Sequence, residues 1–170
     1  MSKLLTCSLL VAASFGFVAC ASDGEETPSQ SALESSDNFQ EAHNRLTASS
    51  EAHTSLVMSR NVLSEVTLDE VHFHGRSVDA IAEMKWQLQI LGTCRSAEGE
   101  LLDTSGAIAA VRDLRAELSA HQIGMVTMVD RTTAQAAELN FHARQAPLFE
   151  ELEAHATSFA AMAESYNCAF

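Results

Sequence analysis

The sequence predicts an all-α protein, an up-down-up-down four-helix bundle over residues 37–170. Three observations predict it. Apolar residues recur at intervals of three and four through most of this region, no stretch shows the period-two alternation of a half-buried strand, and turn signals divide the periodic region into four. Four rods that each carry one apolar stripe bury those stripes by packing as near-antiparallel neighbours.

The first helix is expected to start at Asp37, whose carboxylate can cap the free backbone N–H groups of a first turn. Its stripe reads Phe39, Ala42, Leu46, Ser49, His53, Leu56 and Arg60. Thr67 and Glu70, in capping-box spacing, announce a second helix with Leu68, Val71, His74, Val78, Ile81, Lys85, Leu88 and Leu91, stopped by Gly92. A loop over 93–102 carries Cys94 and Gly99, and a third helix from near Thr104 presents Ile108, Val111, Arg115, Leu118, His121, Met125 and Met128. No internal repeat is read from this pattern.

Two places could end the third helix: Asp130 with Thr132 and Thr133, or 140–146 ahead of Pro147. The later turn makes it about 57 Å long against roughly 40 Å for the first two. It also stops Cys168 halfway along the bundle, whereas the earlier turn brings Cys94 and Cys168 to one pole, within the roughly 7 Å between Cα atoms that a disulfide spans. The earlier turn is therefore expected, with Pro147 inside a long fourth helix whose stripe is Leu148, Leu152, His155, Phe159, Met162 and Tyr166.

Ahead of the bundle, Lys3 is followed by an apolar run over 4–19 that ends Phe17-Val18-Ala19-Cys20. At about 16 residues the run suits an export signal and falls short of the roughly 20 that a spanning helix needs. It resembles the lipobox of bacterial lipoproteins, with Phe17 where Leu is usual. The resemblance implies that 1–19 is a removed signal peptide and that Cys20 carries covalent diacylglycerol and an N-acyl chain. It also implies anchorage in the cell envelope, and Ala21 in place of Asp after the cysteine points to the outer membrane. Residues 20–36 are polar with few large apolar side chains, too little to offset their ordering entropy, and are expected to be a flexible tether.

The formal charge of −13 becomes more negative still once Lys3 is removed, which repels nucleic acid and anionic headgroups. The expected partners are the membrane, through lipid, and a metal ion. Cys7 leaves with the signal and Cys20 is acylated, so Cys94 and Cys168 are left to pair in an oxidising compartment.

The chemistry is expected in the histidines. His53, His74, His121 and His142 fall about 24 to 28 Å from the tethered pole on four different helices, and His43 and His155 at a second level of about 6 to 9 Å. Imidazoles converging from separate helices suit a transition metal in a bundle core. Met125 extends the face of His121 with a thioether, and mixed imidazole and thioether ligation suits copper. The metal set is thus His53, His74, His121, His142 and Met125, with His43 and His155 as a second candidate pair. An alternative is a structural or interaction lipoprotein whose histidines satisfy a polar interior, and a third is a b-type haem protein.

No enzyme is expected. Di-iron bundles carry inward Glu-x-x-His pairs, and only Asp69 and His72 approximate that spacing here, off the core face. His-Glu-x-x-His and Cys-x-x-Cys-His are absent. Glu138 with His142 and Glu151 with His155, each four apart, read either as carboxylates orienting imidazoles or, by preference, as ordinary helix-surface pairs.

Overall fold

The structure, a computed structural model, describes residues 28–59, 63–125 and 130–168. The signal segment 1–19, Cys20 and the tether as far as residue 27 lie outside the described residues. Four helices dominate: α1 (Pro28–Ser59), α2 (Leu63–Leu91), α3 (Ser105–Met125) and α4 (Arg131–Ala163). Two short strands, β1 (Cys94–Ser96) and β2 (Tyr166–Cys168), complete them.

The α1 helix begins at Pro28, not Asp37. Proline suits a first helical turn, because its φ is already helical and the N–H it lacks would have no partner there. Residues expected to end the tether are therefore helical, and the small side chains of Ala32, Ser35 and Ser36 are buried. Asp37 is exposed within the helix. The face α1 buries runs Phe39, Ala42, Leu46, Ser50, His53 and Val57, which leaves Ser49 and Leu56 half-buried at its margin.

The α2 helix departs furthest from expectation. It starts at Leu63, and Glu70 is not a capping residue; only 6 % of it is exposed and it faces the interior. The apolar residues chosen for the first half of the stripe point outward, Leu68 at 61 %, Val71 at 65 % and Val78 at 55 % exposure. His74, Ile81, Leu88 and Leu91 of the expected stripe are buried, and Phe73 and Ser77 join them inside. Burying a carboxylate ahead of a leucine is tolerable only where partners satisfy it, and Glu70 has three imidazoles.

Gly92 ends α2 as expected, its N–H bonding the Leu88 carbonyl at 3.0 Å. At the start of α3 the Asp103 carboxylate accepts from the Ser105 N–H at 2.9 Å and its hydroxyl at 2.6 Å. The earlier of the two turns is the real one. α3 ends at Met125, and Asp130 caps α4 by accepting from the Thr133 N–H at 2.9 Å. Pro147 lies inside α4.

α1 packs against α2 and α4, and α3 packs against the same two. Side-chain pairs show the sense of α1 and α4: His43 meets Phe149, Ser50 meets His142, and Gln135 meets Val57, so the two run in opposite directions. The core between the helices holds Phe39, Leu46, Phe73, Met84, Leu88, Leu114, Phe141, Leu152 and Phe159, all nearly or fully inaccessible. Each such side chain contributes about 1.5–3 kcal/mol by leaving water.

The strands, which hydrophobic periodicity did not announce, form an antiparallel pair with Cys94 opposite Cys168. The expected disulfide joins these two cysteines. It ties the end of α2 to the chain just after α4. No described helix is long and apolar enough to cross a membrane.

Candidate metal centre

Between the four helices the apolar interior gives way to a layer of charge. Each helix contributes one histidine: His53 from α1, His74 from α2, His121 from α3 and His142 from α4, all at most 8 % exposed. Two carboxylates join them, Glu70 one turn before His74 and Glu138 one turn before His142, with Glu138 only 1 % exposed. An interval of four places both side chains of each pair on one helix face.

The Nε2 atoms of all four imidazoles face these carboxylates. His121 Nε2 lies 2.8 Å from Glu70 Oε1 and 2.9 Å from Glu138 Oε1. His53 Nε2 lies 2.5 Å from Glu70 Oε2 and 3.1 Å from Glu138 Oε2. His74 Nε2 contacts Glu70 Oε1, and His142 Nε2 stands 3.9 Å from Glu138 Oε2. The donors fall into two groups, His53 with Glu138 and His142, and Glu70 with His74 and His121, whose ligand atoms lie within 4.8 Å of one another.

Several of these atoms are close to a neighbour without being bonded to it. Glu70 Oε2, His74 Nε2, Glu138 Oε1 and His142 Nε2 are buried within ion-pair range yet make no hydrogen bond. Buried polar atoms are nearly always satisfied. The other two Nε2 atoms are bonded, that of His53 to Glu138 Oε2 at 3.1 Å and that of His121 to Glu70 Oε1 at 2.8 Å, so the layer combines direct ion pairs with buried donor atoms left open to a ligand.

Aromatic rings hold the imidazoles in place. His53 stacks on Phe73 with centroids 4.6 Å apart and planes 6° from parallel, and His121 stacks on Phe141 at 4.0 Å and 8°. Outer partners fix some ring nitrogens: Asp69 Oδ2 lies 2.5 Å from His53 Nδ1, and Ser50 Oγ 2.9 Å from His142 Nδ1. With Nδ1 engaged in this way, Nε2 is the nitrogen left to face the carboxylates and, once deprotonated, to ligate.

The cluster reshapes its own ionisation. Burial alone would lower the pKa of His53, but contacts with Glu138, Glu70 and Asp69 outweigh it and raise the value to about 10. His121 is raised to about 9 against the same cost of burial, by Glu138 and Glu70. Glu70 and Glu138 are held below the usual carboxylate range, the imidazoles overcoming a burial that would raise them. His142 goes the other way, to about 4, because burial and the neighbouring His53 charge both disfavour its cation.

The four histidines expected at the upper level are thus brought together. Met125, half-buried, is the last residue of α3, a turn beyond His121. His43 and His155 belong to neither ligand group. His43 Nε2 lies 3.0 Å from the Phe149 carbonyl, while the His155 ring packs over Gly106, where a Cβ would come within 2.8 Å of it. His43 thus sits at the α1–α4 contact and His155 at the α3–α4 contact.

Neither carboxylate is among the expected ligands, although the sequence signals both. Glu70-Val71-His72-Phe73-His74-Gly75-Arg76 and Glu138-Leu139-Asn140-Phe141-His142-Ala143-Arg144 share the pattern Glu-x-x-Phe-His-x-Arg. His53 and His121 precede the two copies by the same interval, as do Leu46 and Leu114, and Ala42 and Ala110. The absence of an internal repeat is therefore corrected: α1–α2 and α3–α4 are two copies of one helical hairpin pattern. The geometry repeats too. Arg76 Nε reaches Ser49 on α1 at 3.0 Å, and Arg144 Nε reaches Glu117 at the matching position on α3 at 2.7 Å. The preference for Glu138 as a surface residue is corrected by its burial.

No protein-family model, curated protein or solved structure matches the chain.

Proposed function

We propose that this protein is an envelope lipoprotein, anchored by lipid on Cys20 at the outer membrane, whose up-down-up-down bundle binds a divalent first-row transition metal in its core. The ligands are His53, Glu70, His74, His121, Glu138 and His142. One observation carries the reading: imidazoles from four helices turn Nε2 toward two buried carboxylates, with donor atoms in each group within 4.8 Å. Two imidazoles with one carboxylate form the donor set associated with non-haem iron(II). Copper was expected on the strength of a thioether at Met125. With carboxylates among the imidazoles the set is harder, and iron(II) moves ahead of copper. The role is metal handling by binding, and no reaction is assigned.

A groove of about 790 Å³ lies between α1 and α4, with His43, Ser50, His142 and Phe149 in its wall. It gives an ion a route from solvent to the His142 side of the cluster. Haem gains no support, because His121 faces Glu70 and Glu138 at hydrogen-bonding range where a porphyrin would have to lie.

A second reading rests on the raised pKa values of His53 and His121. Two imidazolium ions paired with two carboxylates balance as a purely structural polar layer. Metal content separates the two. The chain exported with Cys20→Ser should carry iron or another first-row ion, and the His53→Ala, His121→Ala double variant should lose it. A protein that stays metal-free after iron(II), copper and zinc are offered would leave the structural layer as the answer.

A further inference from the structure

Resting on the metal-binding reading, we infer that the centre is dinuclear, with Glu70 and Glu138 both bridging, and that its halves are unequal. The two oxygens of each carboxylate face different histidine pairs. Glu70 directs Oε1 toward His74 and His121 and Oε2 toward His53. Glu138 directs Oε1 toward His121 and Oε2 toward His53 and His142. One ion is held by His53, His142 and the two Oε2 atoms, the other by His74, His121 and the two Oε1 atoms. Each thus has two imidazoles and two carboxylate oxygens. The repeated hairpin pattern accounts for the match, since it exchanges His53 with His121 and the Glu70, Phe73, His74 set with Glu138, Phe141, His142.

The symmetry breaks outside the ligands. Asp69 contacts His53 Nδ1 and Ser50 contacts His142 Nδ1, orienting both imidazoles of the first half. At the matching positions stand Ala137 and Leu118, which offer no polar side-chain atom, and His74 Nδ1 is buried with no hydrogen bond. Loss of such an outer partner typically costs 10–100-fold in metal affinity. The His53–His142 half therefore fills first. The groove that reaches His142 and Ser50 opens toward this same half.

Anaerobic titration of the metal-free, full-length folded domain with cobalt(II) and with iron(II), followed by native mass spectrometry and visible absorption, tests this. Two equivalents per chain are expected, in two steps. Ser50→Ala and Asp69→Asn should each weaken the first step roughly 10–100-fold and leave the second nearly unchanged. Circular dichroism confirms that each variant is folded, and Thr47→Ala in the same groove serves as a control expected to alter neither step. A single equivalent would overturn the dinuclear assignment while leaving metal binding intact. Two equivalents weakened equally by Ser50→Ala would overturn the inequality of the halves. No uptake at all would sink the proposed function as well, a result distinct from either.

Discussion

Glu138 shows most sharply what the site demands of a single residue. Its carboxylate is nearly inaccessible, ionised and set against His53 and His121. Removing one partner from a buried ionic cluster is strongly destabilising, because the remaining charge is left uncompensated. Glu138→Gln should therefore lower the stability of the metal-free protein by about 3–5 kcal/mol in urea unfolding, as well as abolishing metal uptake. Met125→Leu, by contrast, should leave metal content unchanged, because the harder donor set does not call on a thioether.

The ionisation of these residues also fixes how stability depends on pH. His53 and His121 bind protons more tightly folded than unfolded, so their contribution is complete below pH 6.5 and is lost as pH rises through about 9 to 10. Glu70 and Glu138 bind protons less tightly folded, so theirs is present above pH 4.5 and lost in acid. His142 adds to the acid loss, its stabilisation falling away from pH 6.5 down to about 4. The metal-free protein should be most stable near pH 6.5, which thermal melts across a pH series would check.

Among the elements, some helix ends are legible and others are not: α1 and α2 begin at Pro28 and Leu63, ahead of the expected Asp37 and Thr67. Asp130, Gly92 and the Cys94–Cys168 pair were each readable, because a cap, a stop and a covalent tie act within a few residues of their own position. Asp130→Ala should cost about 1 kcal/mol by leaving an N–H of the first turn of α4 unpaired. The tie should matter more. The cysteines are 74 residues apart, and opening a loop of that size costs roughly 4 kcal/mol in the chain-entropy account. Reduction, or Cys94→Ser with Cys168→Ser, should lower the urea midpoint accordingly.

The phase of α2 was not legible from hydropathy. Val71 and Leu68 are more apolar than Glu70 and His74, yet they face solvent, because Glu70 is paired with imidazoles from two other helices, His53 on α1 and His121 on α3. A periodicity argument weighs each residue for its own transfer energy and cannot see a partner far along the chain. The same blindness placed Glu138 on the surface. What does carry the information is the repeated Glu-x-x-Phe-His-x-Arg, whose interval of four sets each Glu and its His on one helix face.

For the whole molecule, four helices converge their histidines on one layer, and that convergence follows from repeating a hairpin. A single α1–α2 unit brings His53, Glu70 and His74 together but supplies only half of the donors. Pairing it with α3–α4 supplies the rest and covers both apolar faces at once. Under the proposed function, metal binding and folding are coupled: an ion that binds only the folded chain stabilises it by about 2.7 kcal/mol at a hundredfold excess over Kd. The unfolding temperature should rise with added iron(II) and fall back on chelation.

The most direct test is anomalous diffraction from crystals of the Cys20→Ser protein grown with iron(II) or cobalt(II), measured on either side of the metal absorption edge. The account predicts anomalous density in the mid-bundle layer, flanked by Glu70 and Glu138 and bounded by the Nε2 atoms of His53, His74, His121 and His142. Density confined to the protein surface, or those Nε2 atoms hydrogen-bonded to the carboxylates with no metal between them, would contradict it.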